Sequence, residues 1–284
     1  MPIQRGTLYV VATPIGNLDD LSVRAARVLG EVALVAAEDT RHTGKLLTRY
    51  QIATPLVSLH EHNESARVAD LLARLTRGES LALVSDAGTP LISDPGYELV
   101  RAARAAGMRV ETVPGPCAAV AALSVSGLPP DRFVFEGFPP ARSGTRRERF
   151  EQLNTETRTL IFYESPHRIV ETLADMAAVF GDARAAVLAR ELTKQFETVI
   201  GGSLAALHAR VRAEPDQQRG EMVVLVHGHA RHDDADPDAS QVANAVRIAR
   251  ILARELPPAK AAALAAEITG AKKKAIYDML VQTR

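Results

Sequence analysis

The chain has 284 residues, and its 34 basic and 34 acidic side chains leave a formal net charge of zero. With 46% hydrophobic and 24% charged residues it has ordinary globular composition, which excludes a disordered chain and a protein that coats nucleic acid by overall charge; a local basic patch stays open. One cysteine, Cys117, excludes an internal disulfide or a Cys-rich zinc site, and no apolar run approaches the length of a membrane span, so a cytoplasmic protein with an aliphatic, Trp-free core is expected.

In chain order, Thr7 to Ala12 is a short apolar run closed by Thr13-Pro14-Ile15-Gly16-Asn17, which reads as a buried strand entering a tight loop. Ser22 to Leu29 follows at helical spacing with Gly30 as a stop, then a strand over Val32 to Ala36 and a helix over Ser65 to Leu75. Leu81 to Val84 is a strand, Tyr97 to Ala106 a helix and Arg109 to Val113 a strand. Strands without polar alternation that take turns with helices predict a mostly parallel sheet covered on both faces.

A second run of the same kind begins near Arg132, with strands at Thr159–Tyr163, Ala185–Arg190 and Met222–Val226 and a helix over Ile169 to Val179. The turn-rich stretch Ser126 to Asp131 places the division near residue 125, giving α/β domains over 1–125 and 126–229. Residues 230–240 are polar and acidic and predict a flexible linker. Residues 241–284 hold eight Lys or Arg against three acids, and Pro258 to Ile268, Thr269-Gly270 and Ala271 to Gln282 predict helix, tight turn, helix.

Neither a G-x-G-x-x-G turn after the first strand nor a Walker loop occurs. His227 and His229 lack partner ligands at matching spacing, so no metal site is expected. Three Gly/Pro-rich loops stand at predicted strand ends: Thr13–Asn17, Ser85–Pro90 and Val113–Ala118. A ligand of a parallel sheet binds beyond those ends, although each loop taken alone is equally a plain turn. Ala37 to Thr43 is dense in polar groups. Asp39 or Thr40 could cap a helix there, or Arg41 and Lys45 could hold phosphates while His42 moves a proton. Glu164 and Glu191 could accept hydrogen bonds from a ligand or pair with nearby Arg.

Taken in order, these runs resemble the ribosomal RNA small subunit methyltransferase I family of the tetrapyrrole methylase superfamily. The resemblance is carried by Ala12–Leu18, Ala37–Thr43, Ser85–Gly96, Pro114–Pro116, Tyr163–Arg168, Arg190–Lys194 and Arg219–Val223. It spans about residues 6–226, and the basic tail resembles the family's C-terminal helical segment more loosely. It implies two α/β domains with a cofactor cleft between them plus a small C-terminal helical segment, and usually a homodimer. It also implies 2′-O-methylation of a cytidine in the decoding region of 16S rRNA, with S-adenosylmethionine as donor. Carried over by position, the cofactor pocket would use Pro14, Asp86, Ala87, Gly88, Thr89, Cys117, Ala118, Tyr163, Ala189 and Met222. The superfamily's Gly-Asp-Pro loop is replaced here by Ser85-Asp86-Ala87.

A ribose hydroxyl is a poor nucleophile, and His42 and Asp39, with Glu164 behind them, are the candidates to assist it. Arg41, Lys45 and Arg168 are candidate phosphate holders, and Lys272, Lys273 and Lys274 would grip RNA backbone from a helix-turn-helix-like unit. Three lysines at a helix start oppose the helix dipole, which fits a use other than helix stability. A solvated basic face on a small helix pair is the plainer alternative. Two other functions stay open: a small-molecule, tetrapyrrole-like C-methyltransferase, and a catalytically inactive RNA-binding ribosome-assembly factor.

Overall fold

The computed structural model of the protein describes residues 2–60, 62–229 and 237–282. The chain forms two compact units, Met1–His227 and Gly228–Arg284.

The first unit opens with β1 (Thr7–Val11), α1 (Val23–Glu31), β2 (Leu34–Ala37), α2 (Thr40–Arg49), β3 (Leu56–Ser58) and α3 (Glu64–Thr76). β4 (Leu81–Val84), α4 (Tyr97–Ala105) and β5 (Arg109–Val113) complete a five-stranded sheet in the order β3-β2-β4-β1-β5. Every pairing in it is parallel, as continuous apolar strands require. Its two faces bury separate aliphatic clusters, one around Val11, Val28, Leu29 and Val35, the other around Leu8, Leu71, Leu83 and Leu99.

Three of these four helices have their starts fixed by side chains. Ser22 caps α1 by accepting from Ala25 N at 3.0 Å, and Asp39 caps α2 by accepting from Arg41 N at 2.8 Å. α4 is capped from another helix: the carboxylate of Glu64, buried in the first turn of α3, accepts from Gly96 N at 3.2 Å and Leu99 N at 3.0 Å. Gly96 itself has φ of 120°, and a Cβ there would lie 2.6 Å from Leu83 Cδ2. Gly30, expected to end α1, sits inside it, and the helix runs one residue further to Glu31.

The second sheet is built from β6 (Phe133–Gly137), β7 (Thr159–Glu164), β8 (Ala185–Arg190), β9 (Thr198–Ser203) and β10 (Met222–Val226), in the order β6-β7-β10-β8-β9. It is mixed, not mostly parallel. Only β6 and β7 run together, whereas β10 is antiparallel to both β7 and β8, and β9 to β8. Helices α5 (Ala118–Ser126), α6 (Ser143–Leu153), α7 (Ile169–Phe180) and α8 (Leu204–Ala213) cover it. α5 packs Ala119, Ala122 and Leu123 on Ile161, Val187 and Val223 of this second sheet. By packing, α5 thus goes with the second sheet, ahead of the turn-rich stretch Ser126 to Asp131.

On the far side, α6 and α7 are joined by Asp175, whose carboxylate takes buried Arg146 at 2.6 Å, Arg147 at 2.6 Å and the Ser143 hydroxyl. Burial pushes the Asp175 carboxyl up, but hydrogen bonds from Arg147, Ser143 and Arg146 outweigh it and hold it below the usual range.

The second unit contains α9 (Pro237–Leu252), α10 (Pro258–Thr269) and α11 (Lys273–Gln282). Of the linker expected over 230–240, residues 230–236 lie outside the described residues, and 237–240 belong to α9. Ala245, Ala249, Ala262, Ala265 and Ile276 close a core of small side chains. Gly270, at φ of 75°, makes the turn between α10 and α11. Lys272, Lys273 and Lys274 are exposed where α11 begins.

Candidate active site

Beyond the carboxyl ends of the first sheet, three loops are tied together through main chain. The loop after β1 meets the loop after β4 in a two-way bridge, Thr13 N to Gly88 O at 2.8 Å and Gly88 N to Thr13 O at 3.1 Å. The Thr13 hydroxyl donates to Ser85 O at 3.2 Å. The Thr89 hydroxyl donates to Pro116 O at 2.9 Å and brings in the loop after β5. Gly115 lies so near β1 that a Cβ would come within 3.0 Å of Ala12 Cβ.

The second sheet presents one row of residues to these loops. Register places Val223 beside both Tyr163 and Ala189, and Met222 beside Glu164 and Arg190. Because β10 is antiparallel, its start and the ends of β7 and β8 stand on the same edge. The Tyr163 hydroxyl accepts from Ala119 N at 3.1 Å and so ties this row to α5. Its phenol is pushed above the ordinary value, by burial first and by Cys117 second.

Between the row and the loops lies a cavity of about 400 Å³. This falls within the size range of small-molecule and cofactor sites. Its lining is largely apolar, with Ile15, Ala118, Leu192 and Val223 among its walls, while carboxylates stand on it at Glu38, Asp86, Asp94, Glu164 and Glu221. The cavity is also where backbone strain gathers. Among the described residues, five non-glycine positions have positive φ, and four of them are Leu91, Ser93, Glu191 and Thr193, in the loops after β4 and β8. Each costs on the order of 1 kcal/mol or more and persists only where its surroundings over-determine it.

Nine of the ten positions expected to hold a cofactor line this cavity: Asp86, Ala87, Gly88, Thr89, Cys117, Ala118, Tyr163, Ala189 and Met222. Pro14 is buried beside it, and its neighbour Ile15 provides the contact surface.

The expected catalytic group does not assemble. His42 is exposed on α2 and is not among the lining residues. Asp39 is the cap of α2, and its carboxylate is occupied by Arg41 through Nε at 3.2 Å and Nη2 at 2.7 Å. Those hydrogen bonds hold Asp39 well below the usual carboxylate range. Arg41 is correspondingly engaged, and Lys45 is exposed one turn on. Glu164 does line the cavity, yet both of its oxygens are committed. Oε1 accepts from Ser165 N at 2.7 Å and from Arg168 Nη2 at 2.6 Å, while Oε2 accepts from the Thr172 hydroxyl at 2.6 Å. Arg168 spends its remaining reach on Pro139 O at 3.3 Å. Glu164 and Arg168 are a brace of the β7 end, not a free base and a free phosphate holder.

Asp94 was not expected. It is half-buried on the cavity wall, and its carboxyl is pushed up to about 6. Burial is the main cause, a hydrogen bond with Ser85 opposes it, and the charges of Glu38 and Asp86 add to it. The residue stands inside the Ser85–Gly96 run together with Ser85 and Asp86, but Glu38 comes from the end of another strand, β2.

This fold, with a small-molecule cleft between a parallel and a mixed sheet, defines a methylase class. Residues 7–208 match the family described as Tetrapyrrole (Corrin/Porphyrin) Methylases, and residues 238–284 match the RsmI C-terminal HTH domain. A solved uroporphyrin-III C-methyl transferase from Thermus thermophilus, complexed with S-adenyl homocysteine, shares the fold. It has a TM-score of 0.54 at 18% identity, over 78% of this chain and 96% of that one. Two relatives, each named ribosomal RNA small subunit methyltransferase I, are 58% identical: one from Xylella fastidiosa covers 96% of this chain and 98% of its own length, and one from Pseudomonas aeruginosa covers 98% and 97%. The chain belongs to the ribosomal RNA small subunit methyltransferase I family within the tetrapyrrole methylases.

Proposed function

We propose that the protein transfers a methyl group from S-adenosylmethionine to the 2′-hydroxyl of a cytidine in the decoding region of 16S rRNA, in the small ribosomal subunit. It works in the cytoplasm as a homodimer. The observation that carries the cofactor assignment is the cavity itself. A floor of main chain, apolar walls and five carboxylates suit a nucleoside cofactor that bears positive charge. The residues that would hold it are Asp86 to Thr89, Cys117, Ala118, Tyr163, Ala189 and Met222, with Ile15 in the place first expected for Pro14.

The cofactor supplies a methyl group already activated by a cationic sulfur, so the chain's own task is alignment and exclusion of water. The β1, β4 and β5 loops, hydrogen-bonded to one another, hold the donor side rigid. The open side, between Ile92 and Phe138, admits the acceptor. The names of the two relatives support RNA as acceptor, as do the exposed lysines at the start of α11.

The test is methyl transfer from labelled S-adenosylmethionine to small subunits from cells lacking this protein, with naked 16S rRNA alongside. Recovery of 2′-O-methylcytidine from the digested product is expected. Cofactor binding with no transfer to either RNA would move the reading to a small-molecule acceptor, and absence of cofactor binding would leave an RNA-binding assembly factor.

A further inference from the structure

We infer that Asp94 is the catalytic base that receives the proton of the attacking ribose hydroxyl. The inference rests on the ribose-methylation reading above and deepens it.

Asp94 stands where an acceptor must enter. It follows Ser93, which is held at φ of 66°, and the segment Ile92-Ser93-Asp94 forms one wall of the cavity. That wall abuts the end of β6: a Cβ on Gly137, itself at φ of 67°, would sit 3.3 Å from Ser93 Oγ. The next residue, Phe138, also lines the cavity, is 55% exposed, and meets Tyr163 edge-on with ring centroids 5.7 Å apart. A half-buried carboxylate, an exposed aromatic ring and an exposed Ile92 thus frame the open side of the cleft. Such a frame suits a nucleoside, its base against the ring and its sugar against the carboxylate.

Four of the other titratable groups of the wall are held by neighbours. Glu164 is saturated by Arg168, Ser165 and Thr172. Asp86 accepts from Asp39 N at 3.0 Å. Glu221 is mostly exposed and pairs with Lys194 at 3.1 Å. The Tyr163 hydroxyl is bound to Ala119 N, and its phenol is too weak an acid to be ionised at neutral pH. Facing Asp94 are Glu38 from the end of β2, Asp86 after β4 and Tyr163 from β7, with the Ser85 hydroxyl in contact and Cys117 nearby on the wall. Burial, with the two carboxylates adding to it, makes Asp94 more basic than a surface Asp while leaving it ionised above about 6. In the step, the hydroxyl oxygen forms the O–CH₃ bond as the donor's S–CH₃ bond breaks, and that electron pair stays on sulfur. The hydroxyl proton passes to an Asp94 carboxylate oxygen and from there to water, so charge balances.

The experiment compares the full-length wild type with D94N and D94E on small subunits from cells lacking the protein. S-adenosylmethionine affinity is read by calorimetry and the chemical step by single-turnover transfer across pH. For D94N the expected result is cofactor affinity within about threefold of wild type and a rate lower by about 10²–10⁴-fold. The wild type should show a rate that rises with pH through an inflection near 6, and D94N should lose that inflection. D94E, which retains a carboxylate, should keep an inflection at a shifted pH with a reduced rate. A D94N rate within about threefold of wild type, an inflection unmoved in both variants, or a loss of cofactor binding that accounts for the rate would each overturn the assignment. A wild type that methylates ribose while D94N is unaffected overturns the role of Asp94 alone; a wild type that transfers no methyl to ribose overturns the function with it.

Discussion

The backbone N–H of Asn17, on the loop after β1, donates to the hydroxyl of Thr193, on the loop after β8, at 3.1 Å. It is a direct bond between the two domains, and the approach beside it is closer still: a Cβ on Gly16 would lie 2.4 Å from Lys194 Cγ. Gly16→Ala therefore has to push the two loops apart or displace the Lys194 stem. We expect a stability loss of about 1–3 kcal/mol from overpacking and a cofactor affinity at least tenfold lower, read by thermal unfolding and calorimetry. An unchanged affinity would mean that this side of the cleft does not need to close.

Arg168→Ala is expected to destabilise the protein by about 3–5 kcal/mol at pH 7, because it leaves the Glu164 carboxylate buried without its cation. Arg168→Ala with Glu164→Gln should recover part of that loss. If Arg168 were instead a phosphate holder, the single variant would unfold normally and bind the ribosomal subunit weakly.

Two aspartates, half-buried Asp94 and buried Asp175, give opposite pH signatures. Asp94 has a raised carboxyl, about 6 against 3.8 for the free side chain. Its contribution to stability is present below about 4 and is lost as the pH rises through 6. D94N should therefore be more stable than wild type at pH 7.5, on the order of 1–3 kcal/mol, and the gain should fade as the pH falls towards 4. Asp175 is held low, so its contribution is present above the unfolded value and is lost on acidification. D175N strands buried Arg146 and should cost about 3–5 kcal/mol at pH 7. Thermal midpoints of both variants from pH 4 to 8 check the two signs.

Phe138→Ala should raise KM for small subunits about tenfold or more with little change in cofactor affinity, since stacking on an aromatic ring is worth about 1–3 kcal/mol per base. A changed cofactor affinity with an unchanged KM would place the ring on the donor side.

Replacing Lys272, Lys273 and Lys274 together with Ala should weaken subunit binding about tenfold at 0.1 M salt and lower the salt slope by about 2. Equal slopes for wild type and variant would mean that these lysines serve only solubility.

How much of this was legible in the sequence depended on what each segment spends its residues on. β1, β4, β7 and β10 are continuous apolar runs because they are central in their sheets. β9 reads Thr-Val-Ile-Gly-Gly-Ser, an edge strand with too little side chain to signal itself. α6 hides its period because one of its buried positions is Arg146, paired with Asp175, so the inward stripe looks charged. α5 shows no polar face at all, and its allegiance to the second sheet is a fact of packing that no local pattern contains. The cleft's loops could be found because Gly and Pro mark them. For Glu164 the sequence left pairing with a nearby Arg open beside ligand binding: Arg168 and Thr172 are near in sequence, but their direction is set only once α7 folds back on β7. The basicity of Asp94 is less local still, since it depends first on burial and then on Glu38 at the end of β2 as well as on Asp86 in its own loop.

The donor side of the cavity is written mainly in main chain: Thr13 with Gly88, and Pro116 as partner to Thr89. Peptide groups are the same whatever side chains they carry, so mutation over long times can replace most of the sequence and leave that surface intact. The acceptor side, where Ile92, Asp94 and Phe138 stand, is written in side chains and has no such immunity. A lineage built on this plan can therefore exchange what it modifies by a handful of substitutions at one rim without redesigning how it holds the reagent. Diversification should run fastest at that rim and slowest on the floor.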